Sequence, residues 1–310
     1  MFNEMSFFQV PHTILMIRPA SFGYNPETAA SNAFQKKNDD EAVHHKAIKE
    51  FDKAVEALMV KGISVLVIDD TPQPITTDAI FPNNWISTHQ DGKVIIYPMM
   101  APSRRRERRM DVVAQLEEKY KTTEVIDLSA PELEGKFLEG TGSIIFDHPN
   151  KIAYACRSER TNEELFVSLC KRLGYKPIVF NAVDERGLAI YHTNVMMWVG
   201  ESLAGICLDA IHNEEDQELV LAQLNATNHK VIALSYAQMN SFAGNMFEVR
   251  NANDERFLLL SKAAYDSLLP GQLHEMEKHL TPMPLDISTI EESGGGSIRC
   301  MVAGIHLPLK

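Results

Sequence analysis

The chain has 310 residues, a formal net charge of -12 and an isoelectric point near 5.4. This length can bury a substantial hydrophobic core, and no Pro/Gly/Ser-rich linker interrupts it, so we expect one domain over residues 1–310. The acidic balance argues against a nucleic-acid-binding surface and against association with anionic membranes. It is compatible with a small cationic or zwitterionic substrate.

The four cysteines are widely spaced and form no CxxC pair. The N-terminus lacks a signal-type apolar run, and no segment reaches the about 18 consecutive apolar residues of a membrane span. We therefore expect a reduced, cytoplasmic protein with free thiols. There is no HExxH pattern, and the adjacent His44 and His45 cannot share one face of a helix. The sequence predicts no metal and no cofactor.

The predicted elements begin with a strand at 12–18 and a helix over 40–61, whose stripe is Ala47, Phe51, Ala54 and Leu58. A strand at 94–97 precedes a helix that starts within the arginine run 104–109. Strands at 143–146 and 152–155 follow, and Thr161 can cap the next helix. A helix over 214–228 comes next, and 257–269 reads as strand-then-helix or as one helix. The glycines 294–296 introduce a predicted strand at 297–303.

A five-fold repeat underlies this order. Five times an amphipathic helix is followed by a β-rich strand, at 63–68, 124–128, 175–180, 231–235 and 285–287. A polar or reactive residue comes 10–13 residues after each strand; these are Asp78, Glu139, His192, Asn245 and Cys300. A repeat of this length favours units packed around one axis, with mixed sheets inside and helices outside. Equivalent positions would then converge in one central pocket.

Cys300 is the strongest candidate nucleophile. It comes shortly after the glycines 294–296, which allow the backbone to approach a ligand closely. It also directly follows Arg299, whose charge can lower the pKa of a thiol. The ordinary interpretation of a cysteine is a small buried core residue. The other three cysteines fit that interpretation, because each lies in an apolar pattern, whereas Cys300 does not.

Polar residues in apolar or glycine-rich surroundings supply further candidates. His192 lies in a predicted apolar strand, and Asn194 two positions on would share its strand face. Glu139 stands before a Gly-x-Gly sequence, where its carboxylate can orient a histidine or bind a substrate nitrogen. Core histidine and surface glutamate are the structural alternatives. Asp78 and Asn84 flank aromatic residues that are typical of a pocket wall.

Two arginines can bind a carboxylate in a fork geometry. Arg104 lies in the arginine run, which is otherwise interpreted as the solvated start of a helix. Arg160 lies in a helix-capping segment.

Together these residues resemble the guanidino-group-modifying enzymes, which include arginine deiminases, dimethylarginine hydrolases and amidinotransferases. Six motifs occur in family order: Asp78-x-x-Phe81-x-x-Asn84, Ser103-Arg104-Arg105-x-Glu107, Leu138-Glu139-Gly140, Ser158-x-Arg160-Thr161-Asn162, His192-x-Asn194 and Gly296-x-x-Arg299-Cys300-Met301. The resemblance implies an α/β fold of the five-fold pseudosymmetric propeller type, the pentein.

The resemblance also implies roles. Cys300 would be the nucleophile and His192 the general acid/base, with Glu139 beside them. Arg104 and Arg160 would hold the substrate carboxylate, and Asp78 its α-amino group.

The chain departs from arginine-specific members at two positions. Deiminases acting on arginine carry aspartates where this chain has Asn84 and Asn194, and those carboxylates hold the guanidinium. Losing two charge-assisted hydrogen bonds, each worth roughly 1.5–3 kcal/mol, should weaken a guanidinium strongly. A neutral ureido group suits two amides better. The chain is most similar to the citrulline-utilisation hydrolases, which implies hydrolysis of citrulline to ornithine, ammonia and carbon dioxide.

Two alternatives stay open from the sequence. One is a guanidino hydrolase or arginine deiminase, and the other is a non-catalytic propeller that binds a partner. Asn245, Phe22 and Asn25 are additional pocket candidates without an assigned role, and the source of oxyanion stabilisation is open. A homodimer formed through an outer helix is a further possibility.

Overall fold

The computed structural model describes residues 7–32, 34–37 and 42–310. In this part of the chain the strands form five sheets of the same design. Each sheet has three strands, and its middle strand pairs antiparallel with one neighbour and parallel with the other. The predicted repeat and α/β class are therefore confirmed. That residues 1–310 form one domain stays a prediction.

The strands are β1 (Thr13–Arg18), β2 (Ser64–Asp69), β3 (Ile86–Thr88), β4 (Lys93–Ile96), β5 (Glu124–Asp127), β6 (Ile145–Asp147), β7 (Ile152–Cys156), β8 (Lys176–Phe180), β9 (Met197–Val199), β10 (Leu203–Ile206), β11 (Lys230–Ala233), β12 (Phe247–Arg250), β13 (Arg256–Ser261), β14 (Thr281–Leu285) and β15 (Ala303–Ile305). Four sheets use three consecutive strands each. The fifth has the order β15-β1-β2, so the last strand closes the ring beside the first.

The α-helices are α1 (Pro26–Ala29), α2 (Val43–Val60), α3 (Pro102–Arg105), α4 (Met110–Lys119), α5 (Gly140–Ser143), α6 (Glu163–Leu173), α7 (Glu214–Ala226), α8 (Tyr236–Asn240), α9 (Lys262–Ser267), α10 (Pro270–Glu277), α11 (Ser288–Gly294) and α12 (Ile298–Met301). None of the helices in the described ranges has the length and apolar character needed to cross a bilayer.

The long helices carry the predicted apolar stripes. In α2 the stripe residues Ala47, Phe51, Ala54 and Leu58 are all buried. Residues 40 and 41 of the predicted 40–61 helix lie outside the described residues. The cap of α6 is one residue later than predicted, since the side chain of Asn162, not Thr161, accepts the N–H of Leu165 at 3.0 Å.

The strand predicted at 285–287 is displaced. The observed strand is β14, and residue 287 already precedes α11. Pro282 and Pro284 lie inside β14, and proline ordinarily argues against a strand. The strand tolerates them because it is at the edge of its sheet, paired only with β13 among the described strands.

Two other predicted strands are short helical turns. His192 precedes a 3-10 turn, Thr193–Val195, so it does not share a strand face with Asn194. Cys300 lies in α12, and only residues 303–305 after it form a strand. Both segments are apolar because they are buried, and a short buried apolar run has no periodicity that separates a strand from a turn. The turns pack against one another at the centre of the ring.

Gly244 permits one of these central contacts. A Cβ atom there would lie 2.1 Å from the carbonyl oxygen of Val195, which is backbone and cannot move aside cheaply. We expect Gly244→Ala to lower the free energy of unfolding by about 1–3 kcal/mol, as overpacking does. Urea unfolding of Gly271→Ala is the control, because nothing lies within 4 Å of a Cβ on that glycine in α10. Equal stability of the two variants would contradict the contact.

Candidate active site

The cavity that contains Cys300 lies between the central turns and is small, about 20 Å³. Such a volume holds about one water molecule. Six of the eight predicted site residues line it: Asp78, Asn84, Arg104, Arg160, His192 and Cys300. The other two are in contact with lining residues, because Glu139 is hydrogen-bonded to His192 and Asn194 to Cys300. The structure therefore brings all eight together.

The thiol of Cys300 faces two amide groups. Asn194 Nδ2 lies 3.4 Å and Asn245 Nδ2 3.3 Å from Sγ. Asn245 Nδ2 also donates to the Asn194 carbonyl at 2.9 Å, which fixes its amino group toward the sulfur. Burial raises the pKa of the Cys300 thiol, although both amides and Arg299 oppose that shift. The unliganded site consequently holds a protonated thiol with two N–H donors ready for a thiolate.

His192 and Glu139 form a buried pair. His192 Nε2 lies 2.8 Å from Glu139 Oε2, while Oε1 accepts the backbone N–H of Met100 at 2.9 Å. Burial would raise the pKa of Glu139, but Arg160, with Nη1 at 3.5 Å, and His192 outweigh it and lower the pKa to about 2. Burial lowers the pKa of His192 to about 4. At neutral pH the pair is a carboxylate and a neutral imidazole.

This pairing determines the tautomer of His192. Because an ionised carboxylate only accepts, Nε2 carries the hydrogen and Nδ1 keeps its lone pair. A Cβ on Gly142 would lie 2.8 Å from Nδ1 and 2.4 Å from Asn84 Nδ2. Both atoms therefore pack directly against Gly142, where any side chain would clash with them. The residues His192 and Asn84 both line the small cavity.

Asn84 is oriented by Arg104. Nη1 of Arg104 lies 2.6 Å from Asn84 Oδ1, and a guanidinium nitrogen only donates, so the facing atom must be the amide oxygen. Arg104 is in turn held by Glu107, with Nε at 3.0 Å from Oε1 and Nη2 at 2.9 Å from Oε2. Nη2 also donates to the Phe81 carbonyl. Asn84 Nδ2 is left buried without a partner.

Asp78 has one oxygen in use and one without a partner. Oδ2 accepts from Asn25 Nδ2 at 2.7 Å and from Thr28 Oγ1 at 3.3 Å, whereas Oδ1 is buried and unpaired. Burial raises the pKa of Asp78, and Arg104 opposes the shift. Asn25 also caps α1 by accepting the N–H of Glu27. Asp78 thus links the site to the first helix.

Residues 25–32 and 34–36 cover the cavity, and Arg160 contacts the first of these two stretches. Arg160 Nη2 donates to the Thr28 carbonyl at 2.9 Å and to Ser31 Oγ at 2.6 Å. Asn32 Nδ2 donates to the Gly295 carbonyl at 3.1 Å from the other side. With Arg104 bound to Glu107 as well, neither arginine is free to bind a substrate carboxylate in this conformation.

A larger cavity of about 870 Å³ lies beside the small one. It is lined by Ser31, Phe34 and Phe242, and Tyr191 and Arg160 line both cavities. The large cavity can admit an amino acid, whereas the small one cannot without displacement of the covering segment.

Several neighbours of the site had weak signals in the sequence. The sequence indicates Asn245 as a site residue only through its place in the five-fold repeat. It indicates Asn25 only as a polar residue that could line a pocket. Phe22 is a wall residue, since a Cβ on Gly294 would lie 3.1 Å from its ring. Tyr191, whose hydroxyl donates to the Gly295 carbonyl at 3.2 Å, was not identified, because a tyrosine before a histidine has no distinctive pattern.

Within the described ranges, no group of three or more His, Cys, Asp or Glu side chains is placed to hold a metal ion.

A buried cysteine, a histidine–glutamate pair and a five-fold ring of sheets define a guanidino-group-modifying enzyme of the pentein fold. The family model described as N,N dimethylarginine dimethylhydrolase, eukaryotic, matches residues 18–307. The chain belongs to this family. A search of curated proteins found no match.

Solved structures show the same fold at low sequence identity. One is the N-terminal domain of ArgZ, a cyanobacterial arginine dihydrolase of the ornithine–ammonia cycle, bound to its substrate. It is 15% identical, with a TM-score of 0.74, and the match covers 96% of this chain and 98% of that chain. Unliganded ArgZ is 14% identical, with a TM-score of 0.75. The match covers 96% of this chain and 41% of the ArgZ chain, so this chain spans less than half of the length of ArgZ.

A dimethylarginine dimethylaminohydrolase carrying an S-methyl-L-thiocitrulline adduct is 14% identical, with a TM-score of 0.65, covering 95% of this chain and 99% of that chain. At such identities the likeness shows the fold.

The burial of Cys300 gives a testable pH dependence. Since burial raises the pKa of its thiol, we expect the thiolate absorbance near 240 nm to develop in the unliganded protein with a midpoint above about 8.5. Subtracting the titration of Cys300→Ala isolates this group. In Asn245→Ala the midpoint should rise further, because one donor to the thiolate is lost. A midpoint at or below 8.5 in the wild type would contradict the assignment.

Proposed function

We propose that this protein hydrolyses the ureido group of citrulline to ornithine, ammonia and carbon dioxide through a covalent adduct on Cys300. The observation that carries the proposal is the direction of the Asn84 amide. Its oxygen is bound to Arg104 Nη1 at 2.6 Å, so only the amino group is available toward the reacting centre.

A fixed N–H donor discriminates between the two substrate classes. A guanidinium has only donors, so its nitrogens would face the amino group of Asn84 with no hydrogen bond and no neutralising charge. A ureido group has a carbonyl oxygen that accepts this hydrogen bond. The same donor would bind the oxygen as negative charge develops on it in the tetrahedral adduct.

The first half of the reaction forms the sulfur–carbon bond. Cys300 Sγ attacks the ureido carbon, the thiol proton passes to His192 Nδ1, and the carbonyl electron pair moves onto oxygen, where Asn84 Nδ2 donates. The carbonyl re-forms as a carbon–nitrogen bond breaks, and the departing amine takes the proton from His192. Glu139 stabilises the transient imidazolium through Nε2 at 2.8 Å.

The second half releases the carbonyl group from sulfur. Water gives a proton to His192 Nδ1 and adds to the thiocarbamoyl carbon. The carbon–sulfur bond then breaks, and the sulfur takes the proton back from His192 to regenerate the thiol and the neutral imidazole. The resulting carbamate loses its amine to give carbon dioxide. Asn194 and Asn245, within 3.4 Å of Sγ, stabilise the sulfur whenever it carries negative charge.

The remaining side chains suit the α-amino and carboxylate groups of an amino acid. The unpaired Oδ1 of Asp78 can accept from the α-ammonium group. Arg160 can exchange its bonds to Ser31 and Thr28 for the substrate carboxylate when the covering segment moves. Arg104 has all three nitrogens in use, so its role in this proposal is to position Asn84.

A guanidino hydrolase acting on arginine is the second candidate. Asp78 Oδ1 and Asn194 Oδ1 are both buried acceptors without a partner, and they could accept from guanidinium nitrogens. The arginine dihydrolase and dimethylarginine hydrolase among the structural neighbours add to its weight. A non-catalytic propeller is disfavoured, because it would have no use for the buried His192–Glu139 pair.

The first test compares substrates. With citrulline we expect equimolar ornithine and ammonia from the wild type, and no product from Cys300→Ala, since the variant lacks the attacking sulfur. Arginine and dimethylarginine, assayed in parallel for ornithine, citrulline and ammonia, should be turned over at least about 100-fold more slowly in kcat/KM. Preferred turnover of arginine would replace the proposed substrate with the second candidate, and activity in Cys300→Ala would overturn the thiol mechanism.

The second test isolates the Asn84 donor. Asn84→Asp retains the oxygen that accepts from Arg104 but replaces the N–H donor with a second acceptor. We expect kcat on citrulline to fall by about 10²–10³, as when one oxyanion donor is removed. Asn253→Asp, on an exposed turn, adds the same charge and should retain full activity. Unchanged turnover in Asn84→Asp, with unchanged unfolding, would remove Asn84 from the mechanism.

A further inference from the structure

A second central cavity, of about 50 Å³, is separate from the one that contains Cys300. No residue lines both, although the consecutive residues Arg299 and Cys300 of α12 line one each. The polar side chains that line the second cavity include Ser87, Thr88, His89, His148, Arg299 and His306. The cysteine chemistry proposed above uses none of these six directly.

Arg299 brings an unbalanced positive charge to this cavity. Its side chain is buried, Nη1 donates to the Val302 carbonyl at 2.9 Å, and the guanidinium lies 4.5 Å from the centre of the Phe247 ring. Among the described residues it forms no ion pair with a carboxylate. A guanidinium has five N–H donors, so most of its hydrogen-bonding capacity is available. Buried charges are ordinarily paired, which points to a missing partner.

Three histidines surround the same cavity. The ring centres of His89 and His148 are 5.8 Å apart, and those of His148 and His306 are 4.2 Å apart. Nδ1 of His89 and Nδ1 of His306 are buried and have no partner. Burial lowers the pKa of His89 to about 4 and that of His306 to about 3, so neither adds positive charge at neutral pH. A neutral imidazole carries one N–H, so each ring can supply a neutral donor through its unpaired Nδ1.

The remaining charges near the cluster do not neutralise Arg299. Asp91 acts on His89, but it is paired with Lys93. Lys151 acts on His89 and His148 with the same sign as Arg299. The local balance is therefore one uncompensated buried cation with neutral donors around it.

We propose that this cavity binds a small monovalent anion, with the Arg299 guanidinium as its charged ligand and the histidine rings as neutral donors. A single buried cation matches a single negative charge. A volume of about 50 Å³ fits chloride or an oxyanion of the size of formate or bicarbonate. A metal ion is opposed by the guanidinium, and no described cluster is arranged to bind one.

Occupancy of this site would act on the nucleophile. Arg299 lowers the pKa of the Cys300 thiol, so an anion that neutralises Arg299 raises that pKa and reduces the thiolate fraction. The anion is therefore a negative effector of thiolate formation, and this effect provides a spectroscopic readout that does not depend on which substrate is turned over.

The direct test is diffraction from crystals of the full chain grown with sodium bromide. We expect an anomalous bromine peak in the second cavity, within hydrogen-bonding reach of Arg299. In solution, chloride and formate are each compared with gluconate, which is too large for the cavity, at equal ionic strength. The smaller anions should raise the unfolding midpoint by about 2 °C or more and should raise the midpoint of the 240 nm thiol titration. The halide and carboxylate arms show which anion is preferred.

Variants separate this site from general salt effects. In Arg299→Met the chloride-dependent shift should disappear, whereas Arg172→Met, which removes an exposed arginine paired with Glu124, should retain it. If Arg299→Met does not fold, His306→Phe tests the same site. We expect this variant to lose at least half of the chloride-dependent shift. Absence of bromine from the cavity, or shifts that persist in both cavity variants, would overturn the proposal.

Discussion

The structure depends on one electrostatic constraint: ionisable side chains from all parts of the ring meet at a centre from which water is nearly excluded. In such a place an unpaired charge is costly, so buried charged groups are ordinarily held by an opposite charge or by a set of hydrogen bonds. Arg104 is paired with Glu107, and Arg160 lies between Glu139 and the segment over the site. These pairs position the candidate site residues, which come from several different strands, turns and helices.

Because of this constraint, a buried charge can fix the orientation or the protonation of a neighbouring side chain. Glu107 takes no part in the proposed reaction, yet it holds the guanidinium that orients the Asn84 amide. In the proposed mechanism, this amide selects a substrate that has an acceptor oxygen. Glu139 acts similarly on His192 by fixing which ring nitrogen is basic. In the proposed mechanism, specificity and proton transfer therefore both depend on buried charges one contact away from the reacting atoms.

The sequence predicted which residues meet at this site. It did not predict how their side chains are oriented. The repeat placed Asp78, Glu139, His192, Asn245 and Cys300 at equivalent positions, and all of them lie at the centre. The strand face predicted for His192 and Asn194 was wrong, because a buried turn and a buried strand are equally apolar in sequence. The orientation of Asn84 depends on Arg104.

The hydrogen bonds from Arg160 to the segment that covers the site could not be predicted either. It joins residues that are 129 positions apart, at Ser31 and Arg160. Local pattern carries no information on such contacts, because they form only when distant units pack together.

The closing strand of the ring has a consequence for how the enzyme becomes active. β15 pairs with β1 through Thr13↔Ile305, Ile14↔Gly304 and Leu15↔Ala303, and Cys300 precedes β15 by only three residues. Until this last strand docks, the sulfur has no fixed position relative to the amides that serve it. Pairing between the first and the last strand therefore places the Cys300 sulfur where the proposed reaction needs it, so the candidate site is complete only in the closed ring.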